Sequence, residues 1–464
     1  MPMESQGRTR GAVRRGVQRS RHAAHRVRNW SATVRGRLIL AGAGVAALIV
    51  LSLALIGLPH VFRGPTVHSF AGDIGASTAA HVQAVESATG VRLVPGTIAD
   101  VMVDGDAFFP RLWADLREAE RTIAIVAYYW GNGAVLDTTA RILAKRARAG
   151  VAVRVVYDAF GAGDLAPMYF DSLRAAGVRL AEFRPLRWYS LDRATHRTHV
   201  RAVVIDGRVG YTGGFGIDDK WLGDGSSPGH WHETNVRFTG PAVTQLEAAF
   251  VAHWAEAAGE LLAAPPADST AAPLPAAAGA GEPLSGIIHS PAGIGSSRAE
   301  RLLALSVAVA RRRLWITNAY FVPDDDFVRM LTGAAARGVD VRVLTNGSGT
   351  DVKSTWYAGR FRYRQLLEGG VRIFEFQPTV LHAKTLLADD AWVGLGTVNF
   401  DNRSLAYNDE VAFLALDTRL GLRMDSLFRA DAARSREITL DEFRRRPRLQ
   451  RLLEWASSLV AALL

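Results

Sequence analysis

Hydrophobic and polar positions in this chain follow two periods that take turns. Residues 108–121 place Phe109, Leu112, Trp113, Leu116 and Ala119 at helical spacing, and the run TIAIVAYYW at 122–130 follows at strand length. A second helix is predicted at 136–149, ended by Gly150, then a strand at 151–158 and a helix at 169–176 with Gly177 beyond it. The same order returns later, as helix 303–312, strand 313–321, helix 325–336, strand 339–344, helix 361–368 and strand 371–376. Strands alternating with helices at this spacing predict βαβ units, hence an α/β fold with a mainly parallel sheet. The phrase GVRLAEFRP at Gly177 matches GVRIFEFQP at Gly370, and GVAVRVV at Gly150 matches GVDVRVL at Gly338, so the chain holds two copies of one fold.

Outside the copies the pattern changes. Residues 38–58 (LILAGAGVAALIVLSLALIGL) carry no charge and are long enough to cross the hydrocarbon core of a bilayer as one helix. With no small-x-small cleavage site close behind, an uncleaved anchor is the reading. Residues 1–37 hold ten arginines and one glutamate, a basic tail that the positive-inside rule places in the cytoplasm, with the body of the chain on the extracytoplasmic face of the cell membrane. Residues 59–100 read as a connecting segment with a short strand at 91–94, 101–256 as the first half, 257–285 as an Ala/Pro/Gly-rich linker and 286–464 as the second half. A chain of 464 residues, 48% apolar, is too long for one core and rich enough to fill two.

Charge and cysteine narrow the function. Ten arginines less one glutamate in the tail account for nearly all of the formal net charge of +10, leaving a near-neutral body unsuited to tracking nucleic acid. The absence of cysteine excludes disulfides and thiolate metal sites.

The chemistry concentrates at 380–408, VLHAKTLLADDAWVGLGTVNFDNRSLAYN. It contains His382, Lys384 and Asp389, a small-residue turn at 394–397, then Asn399, Asp401, Arg403 and Ser404. The apolar, β-prone run 379–387 predicts a strand with His382 and Lys384 on one face and Asp389, at an odd offset, on the other as a structural residue. An imidazole beside an ammonium suits attack on a phosphate, one acting as nucleophile or proton carrier and the other neutralising oxygens. A second copy, THVRAVVIDGRVGYTGGFG, sets His199, Arg201 and Asp206 each 183 residues before its counterpart.

With these paired motifs the chain resembles the phospholipase D superfamily and, within it, the bacterial cardiolipin synthases. The resemblance covers residues 101–464, including ITNAYFVPDDD at Ile316, FQPTVLHAKTLLADD at Phe376, GTVNFDNRS at Gly396 and NDE at Asn408. It implies two fused, pseudo-twofold α/β/α halves sharing one cleft, with the transmembrane helix ahead of them. It further implies that one histidine, His199 by the family's usual assignment, forms a phosphohistidine, while His382 protonates the departing alcohol and deprotonates the incoming one. Lys384 and Arg201 would bind the phosphate, Asn399 would donate to it, and Glu410 and Glu233, at the family's late acidic positions, would orient the imidazoles. Asp206 and Asp389 would be structural, and neither metal nor cofactor is implied. The substrate would be phosphatidylglycerol in the membrane, two molecules giving cardiolipin and glycerol. The alternatives are a phospholipase D-type hydrolase or transphosphatidylase on another headgroup, and a non-catalytic lipid-binding or scaffolding homologue. The second is motivated by two departures, since Arg201 replaces the expected lysine and Gly216 stands where the second half has Asn399.

Other residues have plainer readings. His196 with His199, and His230 with His232, have the spacing of zinc ligands but lack the company of one; His230 and His232 read as loop residues, possible neighbours of the cleft. Tyr128, Trp130, Tyr320 and Phe321 end strands and are expected chiefly in the core. Leu449, Leu452, Leu453, Ala456, Val460 and Leu463 form a helical stripe after the basic run 444–448, expected to pack on its own domain rather than lie on a membrane.

Overall fold

The computed structural model describes residues 41, 42, 44, 45, 47, 48, 51, 52, 79–185, 195–262, 282–293 and 296–461. The chain divides into two units, Met1–Gly64 and Pro65–Leu464. In the first, the described residues between 41 and 52 are helical, with Val45, Leu48 and Leu51 exposed. The rest of the apolar run 38–58 and the basic tail 1–37 lie outside the described residues, as does the linker 257–285 apart from its ends. Among the described residues no helix is long and apolar enough to cross a membrane.

The second unit carries two sheets. Strands β1 (Val94–Pro95), β2 (Ile98–Val103), β3 (Thr122–Ala127), β4 (Ala152–Asp158), β5 (Arg179–Phe183), β6 (Ala202–Ile205), β7 (Val209–Gly213) and β8 (Thr234–Thr239) come first. They are followed by β9 (Leu284–Ser290), β10 (Arg313–Asn318), β11 (Asp340–Asn346), β12 (Arg372–Phe376), β13 (Lys384–Ala388), β14 (Trp392–Gly396), β15 (Glu410–Leu416) and β16 (Ser435–Ile438). One sheet runs β2-β8-β7-β6-β3-β4-β5 and the other β1-β9-β15-β14-β13-β10-β11-β12-β16, so the seven-strand order of the first is repeated inside the second. The sheets are mixed rather than mainly parallel. Only β3-β4-β5 and β10-β11-β12, which are joined by helices, run parallel; hairpins and returning segments supply the other pairs. Periodicity finds the crossover helices but is blind to the direction of a returning strand.

The motif aspartates explain how the parallel core is tied to its hairpins. Asp206 (φ +53°) and Asp389 (φ +51°) sit in left-handed turns just after β6 and β13. The Asp206 carboxylate accepts from the backbone N–H groups of Glu120, Arg121 and Thr122 at 2.7–2.9 Å, and that of Asp389 from those of Arg311, Arg312 and Arg313 at 2.7–3.2 Å. Each satisfies the donors that enter the central strand β3 or β10, and asparagine and aspartate are the side chains that best tolerate this backbone. Both carboxylates are therefore engaged by backbone at the strand entrances.

One apolar cluster includes Val204, Val236 and Phe238 of the first sheet with Val393, Leu395 and Phe413 of the second, the rings of Phe238 and Phe413 being 5.1 Å apart. The segment read as a connector holds a helix, Ala79–Thr89, packed on helix Arg298–Val309, and β1, which joins the second sheet beside β9. At the other end, helix Arg448–Ser458 turns Glu454 inward to Arg360 and Arg446, while Leu449, Leu452, Trp455 and Leu459 are more than half exposed. The described part of the leucine stripe thus faces solvent, contrary to the packed expectation, because the helix docks through an ion-paired glutamate; Leu463 lies outside the described residues.

Candidate active site

The site lies at the carboxyl ends of the parallel strands. Tyr128 follows β3 and Tyr320 follows β10; His199 and Arg201 precede β6, His382 precedes β13, and Asn399 follows β14. A cavity of about 460 Å³ is lined by both histidines, Arg201, Asn399, Tyr128 and Tyr320, among others. The expected strand at 379–387 is shorter than its apolar pattern: β13 begins at Lys384, and Leu381 is buried in an isolated bridge to His232. Apolarity there reports burial between the halves, not a ladder.

Two short crossings place the histidines. The His199 N–H donates to the Asp409 carbonyl at 2.9 Å, and the His382 N–H donates to the His232 carbonyl at 2.7 Å. Asp409 and His232 immediately precede Glu410 and Glu233. The last residues of β4 and β11 hold the same loops from behind: Asp158 accepts from the Thr198 N–H at 3.1 Å, and Asn346 from the Leu381 N–H at 2.8 Å. In consequence His199 Nδ1 lies 2.9 Å from Oε1 of Glu410, and His382 Nδ1 lies 2.6 Å from Oε2 of Glu233. Each ring meets a carboxylate from the other half. A carboxylate at Nδ1 fixes the proton there and leaves Nε2 with its lone pair.

The two carboxylates are held differently. Glu410 accepts from the hydroxyls of Thr397 and Ser404, yet burial pushes its pKa up to about 7. Glu233 accepts from the Thr234 N–H at 2.9 Å and is also raised by burial. Burial, with Arg201 and Lys384 nearby, holds both imidazoles well below the ordinary histidine range. Burial likewise brings Lys384 down to about 7.

The cations are tied to their histidines alike, but Arg201 lines the cavity with both histidines, whereas Lys384 lines a separate, mainly apolar one. An Arg201 terminal nitrogen donates to the His199 carbonyl at 3.0 Å, and Lys384 Nζ donates to the His382 carbonyl. Arg201 Nε is buried without a partner among the described residues, as is the side-chain oxygen of Asn399. A buried guanidinium edge facing a polar cavity calls for an anion. Where Gly216 replaces asparagine, a Cβ would stand 2.4 Å from the Trp221 ring. The indole fills the space that a side chain at 216 would use.

Several residues fall elsewhere than their sequence context implied. Tyr128 and Tyr320 stand against the histidines, at ring distances of 5.8 and 6.1 Å, whereas Trp130 and Phe321 are buried in the core. His232 is a buried clamp, its Nδ1 2.8 Å from Asp104 and its Nε2 3.1 Å from Asp431, and these partners raise its pKa to about 10. His230 is exposed beside Ser227. The cleft also contains Lys220, Trp231 and Asp351, which motif reading passed over. The signal for Lys220 was the same offset of 183 that links the histidines, since it matches Arg403.

The chain is similar to several known proteins. A family model described as "Cardiolipin synthase, PLD-like domain" matches residues 112–254 and 306–432. A protein of Geobacillus kaustophilus named cardiolipin synthase is 34% identical over 368 residues, 78% of this chain and 72% of its own. Cardiolipin synthase A of Pseudomonas entomophila is 31% identical over 357 residues, 76% of this chain and 72% of its own. Among solved structures, the phosphatidylserine synthase of Haemophilus influenzae Rd KW20 superposes with a TM-score of 0.62 at 14% identity, over 83% of this chain and all of the other, a likeness of fold.

Proposed function

The chain belongs to the phospholipase D-like family of cardiolipin synthases, and from that premise we propose that it joins two phosphatidylglycerols through a phosphohistidine on His199. It is a phosphatidyltransferase, and cardiolipin is its product. The observation that carries the mechanism is the exchange of glutamates, which engages Nδ1 of each histidine while both residues line one cavity.

In the first step His199 Nε2 attacks phosphorus, the P–O bond to glycerol breaks, and His382 gives its Nε2 proton to the departing oxygen. In the second, His382 takes the proton from the terminal hydroxyl of another phosphatidylglycerol. That oxygen attacks phosphorus, and the P–N bond breaks to free His199. Arg201, Lys384 and Asn399 hold the non-bridging oxygens. An imidazole depressed by two cations must first be protonated to serve as the acid, and the entering phosphate supplies the means. Its negative charge offsets Arg201 and Lys384 and lifts the His382 pKa.

Attachment to the membrane is part of this reading. The uncharged run 38–58 is the anchor, the arginine tail stays in the cytoplasm, and the body works on the other face. The exposed leucines and Trp455 of helix Arg448–Ser458, beside Arg444, Arg445, Arg448 and Arg451, support a second contact with anionic lipid.

The test uses purified full-length protein with phosphatidylglycerol vesicles carrying labelled phosphate. Cardiolipin and glycerol are expected, with label retained covalently in His382→Ala and none in His199→Ala. Label surviving in His199→Ala would sink the assignment of the nucleophile. Phosphatidic acid in place of cardiolipin would mark a hydrolase, and no turnover, with His382→Ala behaving as wild type, a non-catalytic homologue.

A further inference from the structure

The offset of 183 continues past the histidine motifs and sets Lys220 against Arg403 and Trp221 against Ser404. Both cations line the cavity. They sit on opposite flanks: Lys220 lies against Trp221 and Trp231, whose rings stand on His382, while Arg403 acts on His199 and on Tyr128, the ring beside His199. Among the described residues no ion pair joins either to a carboxylate, although Asp218 and Asp351 stand near enough to Lys220 to act on its charge.

Lys220 is built into its place. Its Nζ lies 3.3 Å from the ring centre of Tyr129, 4.5 Å from that of Trp231 and 4.8 Å from that of Trp221. The two tryptophans in turn stand 5.1 and 5.5 Å from the His382 ring. The backbone is fixed as well, since the Lys220 N–H donates to Asp218 at 2.8 Å and its carbonyl accepts from the Trp231 N–H at 2.6 Å. Burial lowers the Lys220 pKa from the ordinary lysine value, and Asp218 and Asp351 oppose that fall; the three aromatic faces stabilise the ammonium without adding a counter-charge of their own. Trp221, seated over Gly216, excludes water on that side and strengthens the field.

In-line displacement puts nucleophile and alcohol on opposite sides of phosphorus. With His199 attacking, glycerol leaves and the acceptor enters on the His382 side. A phosphatidylglycerol acceptor brings its own phosphodiester, three carbons from the attacking hydroxyl; water or a simple alcohol brings none. We propose that Lys220, in its box of Tyr129, Trp221 and Trp231, binds the phosphate of the acceptor lipid and so selects an anionic acceptor over water and neutral alcohols. This rests on the reading above of His199 as nucleophile, with both phosphates passing through one cleft.

A competition experiment tests it. Full-length protein in phosphatidylglycerol vesicles is given ethanol at fixed concentration, and the ratio of cardiolipin to phosphatidylethanol is measured. Loss of one charged contact lowers that ratio about tenfold in Lys220→Met, and Lys220→Arg recovers most of it. The ratio is internal to each reaction, so a general loss of activity does not move it. In Arg403→Met, on the opposite flank, the ratio stays within about twofold of wild type. Cardiolipin from the wild type with an unchanged ratio in Lys220→Met overturns the Lys220 assignment alone. A ratio that falls in Arg403→Met instead overturns it by placing the acceptor on the His199 side. A wild type that forms neither product removes the underlying function together with the proposal.

Discussion

In the proposed mechanism Glu410 and Glu233 act through the rings they touch. A carboxylate at Nδ1 sets the tautomer and stabilises the imidazolium that forms in turnover, and an amide of the same shape does neither. Glu410→Gln is expected to lower kcat by about 10²–10⁴-fold with little change in KM or melting temperature. A kcat within a few-fold of wild type would show that the carboxylate does not orient His199. Lys384 allows a test by pH. Burial brings it to about 7, so in the empty enzyme its ammonium is present below that pH and lost above it. The alkaline limb of kcat/KM is expected near pH 7 in the wild type. In Lys384→Arg it moves up by two or more pH units at a lower plateau, because guanidinium does not deprotonate in this range. A limb that stays put assigns it to another group. At this scale sequence showed the histidines, cations and glutamates as residues. It did not show that the glutamates are exchanged, since reciprocity belongs to the crossings at Asp409 and His232, which have no local pattern. Nor did it show Trp221 over Gly216, a contact made only when a turn folds back.

Among elements, the loop before β13 depends on a charge that does not itself line the cavity. His232 holds that loop through its carbonyl while its ring bridges Asp104 and Asp431. Its folded pKa, about 10, exceeds the ordinary 6.5, so its stabilisation is complete below about pH 6.5 and is lost as pH rises through 10. The melting temperature is expected to fall between pH 7 and 10. In His232→Gln the protein should be about 3 kcal/mol less stable at pH 7 and its stability less dependent on pH across that window. Equal slopes in the two proteins would reject the clamp. Helix Arg448–Ser458 makes a separate claim. In phosphatidylglycerol vesicles containing brominated lipid, wild-type fluorescence should be quenched more than that of Trp455→Phe, and the difference should shrink in zwitterionic vesicles. No difference between wild type and variant would leave the helix in water. These elements were legible as periodicities. Their partners were not, because a leucine stripe reads the same whether it meets protein or lipid, and the apolar run at 379–387 reads the same as strand or as buried crossing.

For the whole molecule, the duplication was visible in repeated phrases and a constant offset, and the repeated strand order has the same length of memory. What periodicity missed is the way the N-terminal part of the second unit crosses over: Ala79–Thr89 and β1 precede the first half in the chain yet complete the second. The crossed glutamates have a consequence for descent. A single-half chain pairing with itself about a twofold axis would already lend each glutamate to its twin, so the site makes sense in an ancestor encoded by a gene half as long. In such a homodimer every substitution strikes both sides at once. In a single chain each side can change alone, and the two sides here do differ, with Arg201, Gly216, Lys220 and Trp221 on one against Lys384, Asn399, Arg403 and Ser404 on the other.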